Sequence, residues 1–150
     1  MAYADHVDEE VWSERYRWLR QTEEAEAGTW GSVLLSLQST LLSYDIEIAF
    51  CAGAWLSVIV MSHAAIDATI RDTTLGDYAS NSKVIFGNDA DLQWLRILRN
   101  RLVHVRPQGH LSALPEQAAN DIAAYQDSLE SDARRAVILM YRAIYANPGT

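Results

Sequence analysis

The chain has 150 residues, with twelve Lys plus Arg against twenty Asp plus Glu and a net charge of −8. Its residues are 49% apolar, including five Trp and seven Tyr. That length fits one domain with a sizeable core, and the composition excludes a disordered chain. The acidity excludes a protein that coats duplex DNA without sequence preference, and the single Cys51 excludes an intramolecular disulfide.

The first ten residues are acidic and lack an apolar core, so no signal peptide is expected. Asp8 is placed to cap a first helix reaching about Ala27. Val11, Trp12, Arg15, Tyr16, Trp18 and Leu19 form a largely aromatic stripe on it at helical spacing. Gly28-Thr29-Trp30-Gly31 breaks that helix. Ser32 to Leu42 then reads as a short helix with Val33, Leu34, Leu37 and Leu41 on one side.

Ile46 to about Thr73 contains no proline and one glycine, Gly53, with small residues throughout. It reads as one long buried helix. Its most apolar stretch, Ile48 to Ser62, is shorter than the roughly 18–20 residues needed to span a bilayer, so no membrane association is expected. Leu75 to Asn88 reads as a polar connection. Asn88 or Asp89 would cap the next helix, whose apolar stripe is Leu92, Leu95, Leu98, Leu102 and Val105 and which Pro107 and Gly109 end. Leu114-Pro115-Glu116 opens a final helical region that pauses near Ser128 to Asp132 and continues to Ala146. Its last apolar face comprises Ala133, Val137, Met140, Tyr141 and Ile144. No segment reads as a strand. The expectation is a single all-α domain over residues 1–150, an antiparallel bundle of four to five helices.

The end of the fourth of these helices is the richest in chemistry. Arg96, Arg99, Arg101 and Arg106, a third of all the cations, fall within eleven residues together with Asn100 and His104. Arginine holds a phosphate bidentately and keeps its charge. An imidazole exchanges protons near neutral pH. At about 100° per residue, Arg96, Asn100 and His104 share one stripe, whereas Arg99 lies about 140° from His104. A compact site using both is better built from two copies of the helix than from one. Plainer roles stand beside this one: Arg101 on a solvated face, His104 bonding the last helical carbonyls, Asp67 pairing with Arg71 one turn on, and His63 as a core histidine. No Cys/His spacing or acidic cluster points to a metal, and no cofactor is expected. The lone cysteine fits a reducing, cytoplasmic setting.

The string Leu98-Arg99-Asn100-Arg101-Leu102-Val103-His104 resembles the Arg-Asn-X3-His signature of HEPN domains, an all-α superfamily of small bacterial toxins and defence ribonucleases. Ser62-His63-Ala64-Ala65-Ile66-Asp67-Ala68 looks like the family's preceding helix, where an acidic residue faces the Arg–His site. Asp67 would fill that place, although Glu is more usual there. The resemblance implies a HEPN-like homodimer whose paired helices form one cleft. It also implies RNA cleavage without metal, with a possible antitoxin or regulatory protein as partner. Arg99, Asn100, His104 and Asp67 would form the catalytic site, and Arg96, Arg101 and Arg106 would contact RNA phosphates. Members paired with a nucleotidyltransferase antitoxin often carry Tyr two residues after the His, where this chain has Arg106. Two other functions fit the same residues: a non-catalytic HEPN-like domain that dimerises and binds protein, and a nucleotide sensor.

Overall fold

The computed structural model of the chain describes residues 7–28, 36–72, 77–87 and 90–146; their regular structure is all helix, with no strand among them, and residues 104–115 form an irregular connection. The helices are α1 (Glu9–Ala27), α2 (Leu37–Ala52), α3 (Trp55–Asp72), α4 (Tyr78–Phe86), α5 (Ala90–Val103), α6 (Glu116–Asn120), α7 (Ile122–Ser128) and α8 (Glu130–Tyr145). Asp8 caps α1 by accepting a hydrogen bond from the Glu10 amide at 2.7 Å. A cap of this kind contributes about 1 kcal/mol.

The expected long helix from Ile46 is two helices, and the short one before it is not separate. The described part of α2 begins after Ser36, which caps it, and runs straight through Leu42 and Asp45 to Ala52. The break falls at Gly53, which takes the left-handed conformation (φ 75°). Its amide donates to the Phe50 carbonyl at 3.0 Å, and the Ala54 amide donates to the Ala49 carbonyl at 2.8 Å. That pair of bonds is the glycine-terminated helix ending known as the Schellman motif. Side chains reinforce the turn from outside: Arg15 donates to the Cys51 carbonyl and Gln126 to the Gly53 carbonyl. The polar stretch expected to be a connection contains α4, capped by Asp77, with Asn81, Ser82 and Ile85 buried. The expected cap at Asn88 or Asp89 lies outside the described residues. In the last region Pro115 sits just before α6, Asp121 caps α7, and the pause before α8 is at Leu129.

The centre of the molecule is α1, α2, α3 and α8. Contacts fix their directions. Ser39 of α2 meets Thr69 of α3 across their hairpin at 3.2 Å, so those two are antiparallel. Along α1 and α8 the pairings climb together, Arg20 with Tyr141 and then Glu23 with Tyr145, so these neighbours run the same way. The bundle is therefore not antiparallel throughout. α8 buries Ala133, Ala136, Val137, Met140, Tyr141 and Ile144, a spacing of three and four that keeps one face inward.

The expected aromatic stripe of α1 is divided by the packing. Leu19 is fully buried and Trp18 stacks on Phe50 with ring centres 4.9 Å apart, while Trp12 and Tyr16 face outward. The Arg134 guanidinium lies over both Trp18 and Phe50, and Arg15 lies over Trp55, so cations cover the ends of the aromatic core. Arg20 bonds to Glu47 and Glu23 and reaches the buried Tyr141 hydroxyl, tying α1 to α2 and α8. Burial and the neighbouring Glu47 push that phenol far above its ordinary range. Cys51 is buried, and burial raises its thiol pKa, so it is an inert core residue. Among the described residues, no helix is long and apolar enough to cross a membrane.

Candidate functional site

α5 is held by one apolar stripe. Leu92, Leu95 and Leu98 are buried against α3 and α8, as their spacing of three requires. This leaves Arg96, Arg99 and Asn100 near the α3 surface. Arg99 is half-buried and donates from Nη1 to the Asn100 side-chain oxygen at 2.9 Å, so the amide steadies the guanidinium beside it. Arg96 is exposed, with Gln93 at 3.5 Å as a weak partner.

Across from them, α3 presents His63 and Asp67, one helical turn apart. His63 is half-buried, and its Nε2 is shut off from solvent with no hydrogen-bond partner. Burial lowers its pKa from 6.5, and the positive charges of Arg99 and Arg96 lower it further, against the opposing pull of Asp67. These influences place Asp67, Arg96 and Arg99 around one imidazole. Asp67 is already occupied: it accepts from Arg71 Nε at 2.9 Å and bonds the Tyr78 hydroxyl, which also meets Arg96. The Arg71 guanidinium lies 4.9 Å from the Tyr78 ring centre. Burial is the main reason the Tyr78 phenol is raised, followed by its bond to Asp67.

The other expected site residues stand elsewhere. His104 is one residue past the end of α5, where its backbone amide closes the last turn onto the Asn100 carbonyl at 3.0 Å. Its side chain is exposed and makes no hydrogen bond among the described residues. His104, Arg101 and Arg106 line a separate cavity of about 770 Å³ bounded by α3, α5, α6 and α7. Arg101 shares this lining with Tyr125, and its Nε is buried without a partner. Within one chain, the expected constellation is thus split. Asp67, Arg96, Arg99 and Asn100 gather about His63, and His104, Arg101 and Arg106 gather about the cavity.

The sequence offers His63 both as a second imidazole of the site and, more simply, as a core histidine, and it gives no pointer to Tyr78. The signal for His63 was its i,i+4 spacing from Asp67, which puts both on one face of α3. Tyr78 had no such signal, because the helix that carries it was read as a connection. Among the described residues, no group of three or more His, Cys, Asp or Glu is arranged to hold a metal ion.

No family model matches the chain, and no curated protein or solved structure is significantly similar to it.

Proposed function

We propose that this chain is a HEPN-like, metal-independent endoribonuclease acting as a homodimer, with RNA as substrate. The observation that carries the reading is the meeting of His63 and Asp67 on α3 with Arg96, Arg99 and Asn100 on α5. That is the pairing of an acidic helix with an Arg-Asn helix that the resemblance implies. His104 stands exposed at the end of α5, free to face a second copy. In the proposed dimer, His104 of one chain and Arg99 of the other converge on one phosphate.

The chemistry is a transesterification. The 2′-hydroxyl gives its proton to a base and attacks the adjacent phosphorus. The bond to the 5′-oxygen breaks, and that oxygen takes a proton. The products are a cyclic phosphate and a 5′-hydroxyl. His104 moves the proton. Arg99, steadied by Asn100, stabilises the charge on the phosphorane. Arg96, Arg101 and Arg106 hold flanking phosphates. A toxin or phage-defence role and an antitoxin or regulatory partner belong to the same reading, as does a cytoplasmic location.

One observation favours a second reading, a HEPN-like domain that binds a partner without catalysis. Asp67 is already bonded to Arg71 and Tyr78, and His104 is apart from Arg99 within one chain. Incubating the purified protein with mixed RNA in EDTA separates the two. Catalysis requires cleavage under these conditions, with His104→Ala slower by about 100-fold or more. Intact RNA, or undiminished cutting by His104→Ala, overturns the ribonuclease reading.

A further inference from the structure

The cavity beside His104 has walls that RNA chemistry does not require. Its lining is mainly apolar, including Leu56 of α3, Leu102 of α5, Ala118 of α6 and Ile122 of α7. Its volume of about 770 Å³ is that of a small-molecule site rather than a packing gap. The polar side chains in the lining are two arginines, Arg101 and Arg106, opposed by the single carboxylate of Glu116, with His104, Gln108, Tyr125 and Gln126. Two of them are left unsatisfied. Arg101 Nε and Gln126 Oε1 are both buried with no hydrogen-bond partner, although Gln126 spends its amide nitrogen on the Gly53 carbonyl. Both atoms are shut off from the cavity itself, so what a ligand would meet there is the rest of the Arg101 guanidinium, which makes no ion pair among the described residues. The rest of the chain is acidic, so an anion is drawn to this end of the molecule.

We propose that this cavity binds a medium-chain carboxylate, its hydrocarbon tail against the Leu56, Leu102 and Ile122 wall and its head at Arg101. The cavity shares Arg101, His104 and Arg106 with the proposed RNA site, but the test reads carboxylate binding alone and does not depend on RNA cleavage. An apolar tail without charge leaves Arg101 unpaired in the wall, and a small anion without a tail leaves the cavity unfilled.

The test is calorimetry of the full chain with decanoate, octanoate and the neutral 1-octanol, each below its aggregation limit. Decanoate is expected to bind one per chain, about tenfold more tightly than octanoate for its two extra methylenes. Octanoate is expected to bind at least tenfold more tightly than 1-octanol, and Arg101→Leu to remove that preference. Ala119→Trp, which fills the cavity from α6, is expected to abolish binding while circular dichroism and melting show a folded chain; Ile122→Trp serves if it does not fold. Absence of decanoate binding, equal affinity for octanoate and octanol, or binding that survives the tryptophan plug overturns the proposal. Survival of binding together with loss of a dimer by light scattering would assign this face to a second copy of the chain.

Discussion

His63 sits where α3 meets two guanidinium groups of α5, and its Nε2 is enclosed without a partner. Protonating it would place a third positive charge beside Arg99 and Arg96, offset only by Asp67. Burial and those charges therefore hold its pKa below 6.5 in the folded chain, while the unfolded chain takes up the proton near 6.5. Between the two values the unfolded state binds more protons, so stability rises with pH across that window. The contribution is complete above pH 6.5 and is lost as pH falls towards the folded value. Urea unfolding between pH 7.5 and 5 measures this. His63→Gln is expected to flatten the acid side of the stability profile, and an unchanged slope would remove His63 from the account. Tyr145 makes a contrasting case. Burial and its bond to Glu23 push its phenol up to about 12, so it stays a neutral donor throughout that range.

At the scale of elements, the decisive position is Gly53. The sequence shows it as the lone glycine in an apolar run, and glycine within a helix is tolerated at a cost of about 1 kcal/mol, so periodicity alone extends the helix across it. What stops the helix is tertiary: the Arg15 guanidinium and the Gln126 amide take the freed carbonyls of Cys51 and Gly53. A Cβ at Gly53 would lie 3.0 Å from Arg15 Nη1, and the left-handed backbone adds its own strain. Gly53→Ala is expected to destabilise the chain by about 1–2 kcal/mol in urea unfolding. Gly53→Asn is expected to cost less, since Asn tolerates this conformation better. A neutral Gly53→Ala would show that the turn is not under that constraint. The misreading of α4 has a related cause. Val84, Ile85 and Phe86 are bunched at its C-terminal end, and its buried face includes Asn81 and Ser82 beside Ile85, which no apolar pattern registers. By contrast α1, α5 and α8 were legible, because each has a capping residue or an apolar face of regular three-and-four spacing.

At the scale of the whole molecule, the separation of Arg99 from His104 makes the oligomeric state the deciding variable for the proposed activity. If each active site takes Arg99 from one chain and His104 from the other, two inactive variants should rescue each other. Mixing Arg99→Ala with His104→Ala puts half the chains into mixed dimers, each with one intact site. Cleavage is then expected to return to about a quarter of the wild-type rate. A mixture as inactive as its components would mean that any site lies within one chain. Light scattering on the same samples establishes that mixed dimers form.

The sequence by itself determined the helical class, the start of α1 at Asp8, the leucines of α5 and the face of α8 that turn inward, and the concentration of cations around Arg99. These follow from local periodicity, capping and charge, all of which act between residues a few positions apart. Only the tertiary structure decided where the central run breaks, that the polar stretch after it folds as α4, and which side chains share a space. The reason is that the partners of Gly53, His63 and Tyr78 come from other helices: Arg15 and Gln126 for the turn, Arg99 and Arg96 for the imidazole, Arg96 for the phenol. The angle of about 140° between Arg99 and His104 was readable from helix geometry. That the space beside His104 is a largely apolar cavity was not, because the way the segment after α5 folds back between α5, α6 and α7, with Leu56 of α3 closing it, is set by tertiary packing.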